Sequence, residues 1–204
     1  MYLFVDMDEV LSDFEGAVCR MYGLHREQLT ESRQLGIWEI HDAIGQALRL
    51  HLGRDSTPYL PDEMWRDVDW CGCPFWEEME PLPHFEELVR LLNDTDPDWH
   101  VITAPFGNVH SYDGKVRWLK KHFGSKFDRF SITPHKHIFK GPGRVLIDDR
   151  PKNIDSFQQN DKHSQGGVGI LFPSRGNELH SLAVAGQQLQ YVKTALDNHY
   201  SNLK

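Results

Sequence analysis

Five short apolar runs alternate with helical stretches along this chain. That alternation restricts the fold to an α/β class with a parallel sheet covered by helices on both faces. The runs are Tyr2–Val5, Trp99–Thr103, Phe130–Ile132, Arg144–Ile147 and Val168–Phe172. Between them, Asp13 to Tyr22 places Phe14, Ala17, Val18 and Met21 at helical spacing and is stopped by Gly23. Pro83 to Asp94 is an amphipathic helix. Asp113 to Phe123 is another, with Asp113 as its expected N-cap and Gly124 at its end. Pro151 to Asn160 has proline in its first turn, and Glu178 to Asn198 forms a terminal helix.

Residues 24–80 break the alternation. They hold four of the six tryptophans and two of the three cysteines, and no strand pattern, and Pro58, Pro61 and Pro74 divide them into short pieces. The expected organisation is a Rossmann-like core formed by residues 1–23 and 81–204, with a small helical cap at 24–80 inserted after the first strand and helix. A hydrophobic content of 39% supports a core of that size.

In an open parallel sheet, ligands bind at the carboxyl ends of the strands. Three strand ends here carry chemically capable groups: Asp6 and Asp8, Thr103, and Asp148 with Asp149. Residues two apart at a strand end face the same side, so Asp6 and Asp8 can share one pocket. Paired carboxylates repel unless a cation or proton intervenes. Mg²⁺ fits such a set, being hard and oxygen-seeking, with Asp148 and Asp149 completing it. One shielded Asp can then attack phosphorus while the other protonates the leaving oxygen. Thr103, Lys115 and Lys136 offer the hydroxyl and cations that a phosphoryl group needs.

These motifs resemble the haloacid dehalogenase superfamily of phosphotransferases. The similarity rests on DMDEVLSDF at 6–14, VITAP at 101–105, the lysine of Pro134-His135-Lys136, and VLIDDRPKNID at 145–155. Within it, the opening, the Glu80-Pro81-Leu82-Pro83 segment and the Asp148-Asp149 motif resemble the 5′(3′)-deoxyribonucleotidases. The resemblance implies that Asp6 is the nucleophile and Asp8 the general acid/base. It implies an Mg²⁺ site from Asp6, the Asp8 carbonyl, and Asp148 or Asp149. Thr103, Lys115 and Lys136 would bind phosphate, and Ile37 and Trp38 would lie near the nucleobase. Three departures stand out: Glu9 replaces a usual Gly, Ala104 a frequent Ser, and Pro134 a frequent Arg. They bear on substrate contacts, not on the groups that do chemistry.

The expected activity is therefore phosphate-monoester hydrolysis of (deoxy)nucleoside monophosphates. Two readings stay open beside it: hydrolysis of another metabolite or a polynucleotide end, and a catalytically idle binding protein on the same fold. A formal charge of −8 with no long basic block argues against a duplex nucleic-acid partner. No apolar run nears the roughly 18 residues of a membrane helix, and no signal peptide is visible, so a cytoplasmic protein is expected, free of membrane, with a homodimer as a compatible state. Cys71-Gly72-Cys73 lacks a second ligand pair at zinc-site spacing and reads as thiols in a turn. Trp65, Trp70, Phe75 and Trp76 serve either cap packing or a base pocket. His135 and His137 read as loop polar groups, and Gly166-Gly167 as a turn.

Overall fold

The computed structural model describes residues 2–53, 61–162 and 164–201. In chain order its elements are β1 (Tyr2–Val5), α1 (Phe14–Met21), α2 (Arg26–Ser32), α3 (His41–Leu52), α4 (Pro61–Cys71), α5 (Cys73–Glu77), α6 (Phe85–Thr95) and β2 (His100–Thr103). There follow α7 (Val109–Phe123), β3 (Phe130–Ile132), a 3-10 turn (Lys136–Phe139), β4 (Arg144–Asp148), α8 (Pro151–Gln158), β5 (Val168–Leu171), α9 (His180–Val184) and α10 (Gln188–Ser201). The chain divides into two compact units. The first comprises Met1–Ser12, Pro81–Ala104 and Asp128–Lys204; the second comprises Asp13–Glu80 and Pro105–Phe127.

The first unit holds the sheet. Its strand order is β3-β2-β1-β4-β5, and every pairing is parallel. This is the Rossmann-like arrangement read from the alternating runs. Alternate residues of each strand face opposite sides. On one side Phe4, Ile102 and Leu146 pack against Ile154 and Phe157 of α8. On the other, Leu3, Val5, Val101, Val145 and Ile147 are also buried, as expected for strands covered on both faces. Helix α6 turns Leu88 and Leu92 inward, and α10 turns Val192 and Leu196.

The second unit is helical. Helices α5 and α7 pack closely because Gly114 leaves room: a Cβ there would lie 2.5 Å from Trp76 Cβ and 2.7 Å from the Cys73 carbonyl. The Trp118 indole N–H then donates to the Met79 carbonyl at 2.7 Å. Phe14 stacks on Trp65 and Trp76, with ring centroids 5.5 and 5.9 Å away, and Trp65 stacks on Phe106 at 4.3 Å. Pro61 and Pro74 begin or lie in the first turn of α4 and α5, while Pro58 lies outside the described residues. No described helix is long and apolar enough to cross a membrane.

Two helix boundaries differ from expectation. Helix α7 starts at Val109, because the Asn108 side chain accepts from the His110 and Ser111 amides at 3.0 and 3.2 Å and so caps the helix before Asp113. The single terminal helix expected at Glu178–Asn198 is two helices, interrupted at Gly186, whose φ of +68° ends α9.

Candidate active site

The register of β1 against β4 builds the site. Val5 pairs with Ile147, so the residues just beyond them, Asp6 and Asp148, emerge side by side. The Asp6 amide continues the ladder by donating to the Ile147 carbonyl at 2.9 Å. After Asp6 the chain turns sharply. The amides of Leu11 and Ser12 both donate to the Met7 carbonyl, and the Glu9 amide donates to the Ser12 carbonyl. Glu9 takes up a left-handed conformation in this turn, with φ of +56°. The Ser12 hydroxyl donates to the Asp8 carboxylate at 3.4 Å.

Asp6, Asp148 and Asp149 are all buried, and each offers an oxygen within 4.8 Å of the others. Lys136, from the 3-10 turn after β3, reaches into the cluster. Its ammonium lies 2.6 Å from Asp6 Oδ1 and 2.6 Å from Asp148 Oδ2. Asp6 Oδ1 also accepts from the Met7 amide at 2.7 Å. Asp148 is held from several sides: the Arg150 amide and the Asn153 side chain donate to Oδ1, and Asn153 and Lys136 donate to Oδ2. Among the described residues, nothing donates a hydrogen bond to the Asp149 carboxylate, which leaves both its oxygens available.

One lysine does not balance three buried carboxylates. Burial lifts the Asp6 carboxyl from its ordinary 3.8 to about 7; Lys136 opposes that rise, while Asp148 and Asp8 add to it. Burial likewise pushes Asp149 well above the usual carboxylate range, with Asp148, Asp6 and Glu9 contributing. Burial acts against the Lys136 ammonium too, but Asp148 and Asp6 outweigh it and hold the lysine above its ordinary value. A donor set made of oxygens alone, all acidic and short of positive charge, suits a hard divalent cation.

Thr103 ends β2, is fully buried, and its carbonyl accepts from the Thr133 amide at 2.8 Å. The first unit thus gathers Asp6, Asp148, Asp149 and Lys136 directly, with Asp8 in the turn after β1 and Thr103 at the end of the adjacent strand. Lys115, Ile37 and Trp38 belong to the second unit. There Lys115 is buried on α7 with its ammonium 4.9 Å from the centre of the Trp76 ring. Ile37 is exposed and Trp38 half-buried. Their carbonyls accept from Arg33, whose guanidinium lies 3.0 Å from Glu15. Phe75 and Trp76 are buried, Trp65 is half-buried, and Trp70 is exposed. Cys71 and Cys73 are free thiols, and Cys73 donates to Asp113 and Glu77; the described residues gather no set of three metal-ligating groups around them.

Residues 1–188 match the profile of the family described as 5′ nucleotidase, deoxy (pyrimidine), cytosolic type C protein. The chain belongs to this nucleotidase family. As a member it is a phosphoric monoester hydrolase. It is 32% identical to the human cytosolic 5′(3′)-deoxyribonucleotidase over 155 residues, which are 72% of this chain and 70% of the relative. It is 28% identical to a putative 5′(3′)-deoxyribonucleotidase of Staphylococcus epidermidis over 179 residues, covering 85% and 83% of the two chains. Among solved structures it is similar to a HAD family hydrolase from Deinococcus radiodurans, with a TM-score of 0.45 at 14% identity, covering 91% and 87%.

Several residues that shape this nucleotidase were not singled out by sequence reasoning. Asn153 lies five positions past Asp148 in the same motif, so its spacing offered a signal. Asn177 and Phe106 carried none, because their partners are distant in sequence or lie in loops without periodicity.

Proposed function

We propose that this nucleotidase hydrolyses (deoxy)nucleoside monophosphates with Mg²⁺ through an aspartyl-phosphate on Asp6. The observation that carries the reading is the buried Asp6–Asp148–Asp149 cluster bridged by Lys136 at 2.6 Å. Asp6, Asp149 and the Asp8 backbone would hold the cation. Bound there, it supplies positive charge that keeps Asp6 ionised and offsets charge on the phosphoryl oxygens.

The protein groups then have distinct tasks. An Asp6 oxygen attacks phosphorus, and the bond from phosphorus to the sugar oxygen breaks. The Asp8 carboxyl gives its proton to that departing oxygen. Asp8, now ionised, takes a proton from water; the hydroxide attacks phosphorus and the Asp6–phosphorus bond breaks, releasing phosphate. Lys136 and Thr103 bind the phosphoryl oxygens and stabilise charge as it shifts onto them. Asp148, engaged by Asn153, Arg150 and Lys136, fixes the lysine in place. On family grounds alone, Lys115 is a further phosphate ligand, Ile37 and Trp38 contact the base, and residues 24–80 serve as the cap over a core of 1–23 and 81–204.

A panel of phosphate esters assayed with Mg²⁺ tests the substrate class. Turnover of deoxyribonucleoside monophosphates above sugar phosphates and polynucleotide ends is the expected result. Turnover of sugar phosphates alone would refute the nucleotide assignment, and Mg²⁺ binding without turnover of any ester would favour a binding protein.

A further inference from the structure

The two aspartates that follow one another after β4 are held in different ways. Asp148 is fixed through its carboxylate, by Lys136 from the 3-10 turn and by the Arg150 amide and Asn153 side chain at the start of α8. Asp149 receives no hydrogen bond on its carboxylate among the described residues. Its position depends on its backbone, and the side chain that grips that backbone is Asn177.

Asn177 lies in the loop between β5 and α9 and is 2% exposed. Its Nδ2 donates to the Asp149 carbonyl at 2.8 Å and to the Phe172 carbonyl at 2.8 Å. Its Oδ1 accepts from the Leu179 amide at 3.0 Å and the Ser174 amide at 3.4 Å. A side-chain amide has two donor hydrogens and two acceptor lone pairs, and here all four are used. The orientation is unambiguous: carbonyls can only accept and amides can only donate, so a flipped side chain would oppose every partner. The Phe172 amide also donates to the Asp148 carbonyl at 2.9 Å, which carries the β4–β5 ladder to its end. Asn177 extends that ladder by one step, from strand to loop, and the step falls on Asp149.

We propose that Asn177 is a positioning residue for the metal-binding carboxylate of Asp149, linking the segment after β5 to the acidic cluster. The inference rests on the Mg²⁺ reading of that cluster. Groups that orient metal ligands without touching the metal typically change metal affinity about 10–100-fold when removed. Removing the Asn177 amide frees the Asp149 carbonyl to rotate, and with it the direction in which the carboxylate leaves the chain. The phosphate-binding groups Lys136 and Thr103 make no contact with Asn177: Lys136 is held by the Asp6 and Asp148 carboxylates, and Thr103 lies on β2.

The test is Mn²⁺ binding to the full chain by calorimetry, in wild type, Asn177→Ala and Asn177→Ser, with Val192→Ala as a control. Val192 is buried in α10, away from the acidic cluster, so its truncation should lower melting temperature without altering that cluster. Asn177→Ala is expected to weaken Mn²⁺ binding by about 10–100-fold. Asn177→Ser, whose hydroxyl can still donate to one carbonyl, is expected to fall between that and wild type. Raised Mn²⁺ should restore most of kcat in both, with KM for the ester unchanged. Wild-type affinity in a folded Asn177→Ser or Asn177→Ala variant overturns the proposal, as does equal weakening in Val192→Ala. Failure of both Asn177 variants to fold, even with Mn²⁺, also overturns it, because Asn177 would then belong to the fold alone. Absence of Mn²⁺ binding in wild type is a separate result: it defeats the metal reading itself and this inference with it.

Discussion

Asp6→Asn should make the metal-free protein more stable at pH 8 while abolishing turnover. Asparagine keeps the oxygen that accepts from the Met7 amide and from Lys136, so the local hydrogen bonds survive. What it removes is a buried negative charge. The rise of Asp6 from 3.8 to about 7 corresponds to a penalty on the order of 4 kcal/mol when the group is ionised in the folded state. Part of that gain is lost because Lys136 keeps only Asp148 as an ionised partner. A net stabilisation of roughly 1–3 kcal/mol is expected. The sign follows from proton counts. Between about pH 4 and 7 the folded state holds a proton on Asp6 that the unfolded chain has released. Wild-type stability therefore falls as pH rises through that window and levels off above it. The advantage of the variant should be near zero at pH 4 and greatest at pH 8. Urea unfolding of both proteins in EDTA at several pH values measures the difference; groups distant from the cluster cancel, while Asp149, which the Asp6 charge helps to raise, adds to it in the same direction. Excess Mg²⁺ should close or reverse the gap, since a ligand at 100 times its Kd adds about 2.7 kcal/mol to the form that binds it. A variant less stable than wild type at pH 8 in EDTA, or a difference independent of pH, would refute the reasoning.

Three further outcomes are expected. Asp8→Asn should reduce turnover of nucleotides far more than of activated aryl phosphates, whose leaving groups need no proton; equal loss on both would count against the acid role. At position 9 the usual order of small residues should invert: Glu9→Gly should be more stable than Glu9→Ala by about 1 kcal/mol in urea unfolding, because the φ of +56° suits glycine and strains any Cβ. Gly114→Ala should destabilise by roughly 1–3 kcal/mol, since the added methyl meets the Trp76 side chain and the Cys73 carbonyl; an unchanged unfolding midpoint would show that α5 and α7 can part without cost.

The sheet was legible because each strand is a short apolar run, with β1, β2 and β4 buried on both faces, and its carboxyl ends could be read directly from where the apolar residues stop. The clustering of Asp6 and Asp148 followed from that reading, since parallel pairing in register brings the ends of adjacent strands together, here β1 and β4. Helix starts were less legible. Asn108 caps α7 through two local hydrogen bonds, yet Val109 to Tyr112 shows no apolar periodicity, so the pattern pointed to Asp113 instead. The break at Gly186 was hidden for the opposite reason: the residues on either side both suit a helix, and one left-handed glycine decides between one helix and two. The distinction between Asp148 and Asp149 is only partly local. It arises from Lys136, Asn153 and Asn177, whose side chains meet the pair from three different segments.

The central place of β1 has a consequence for how the protein comes apart. Strands at the rim of a sheet give up their hydrogen bonds first, and those flanked on both sides give them up last. Asp6 leaves the middle strand, and its amide is locked to the neighbouring one. In hydrogen exchange that amide should be among the slowest, so Asp6, the proposed nucleophile, is carried by the segment that survives every partial opening. Fraying at β3 or β5 can come and go while Asp6 stays in register. Asp6 then loses its place only when the whole unit unfolds, whereas Lys136 and Asn177, which follow the rim strands, lose theirs earlier.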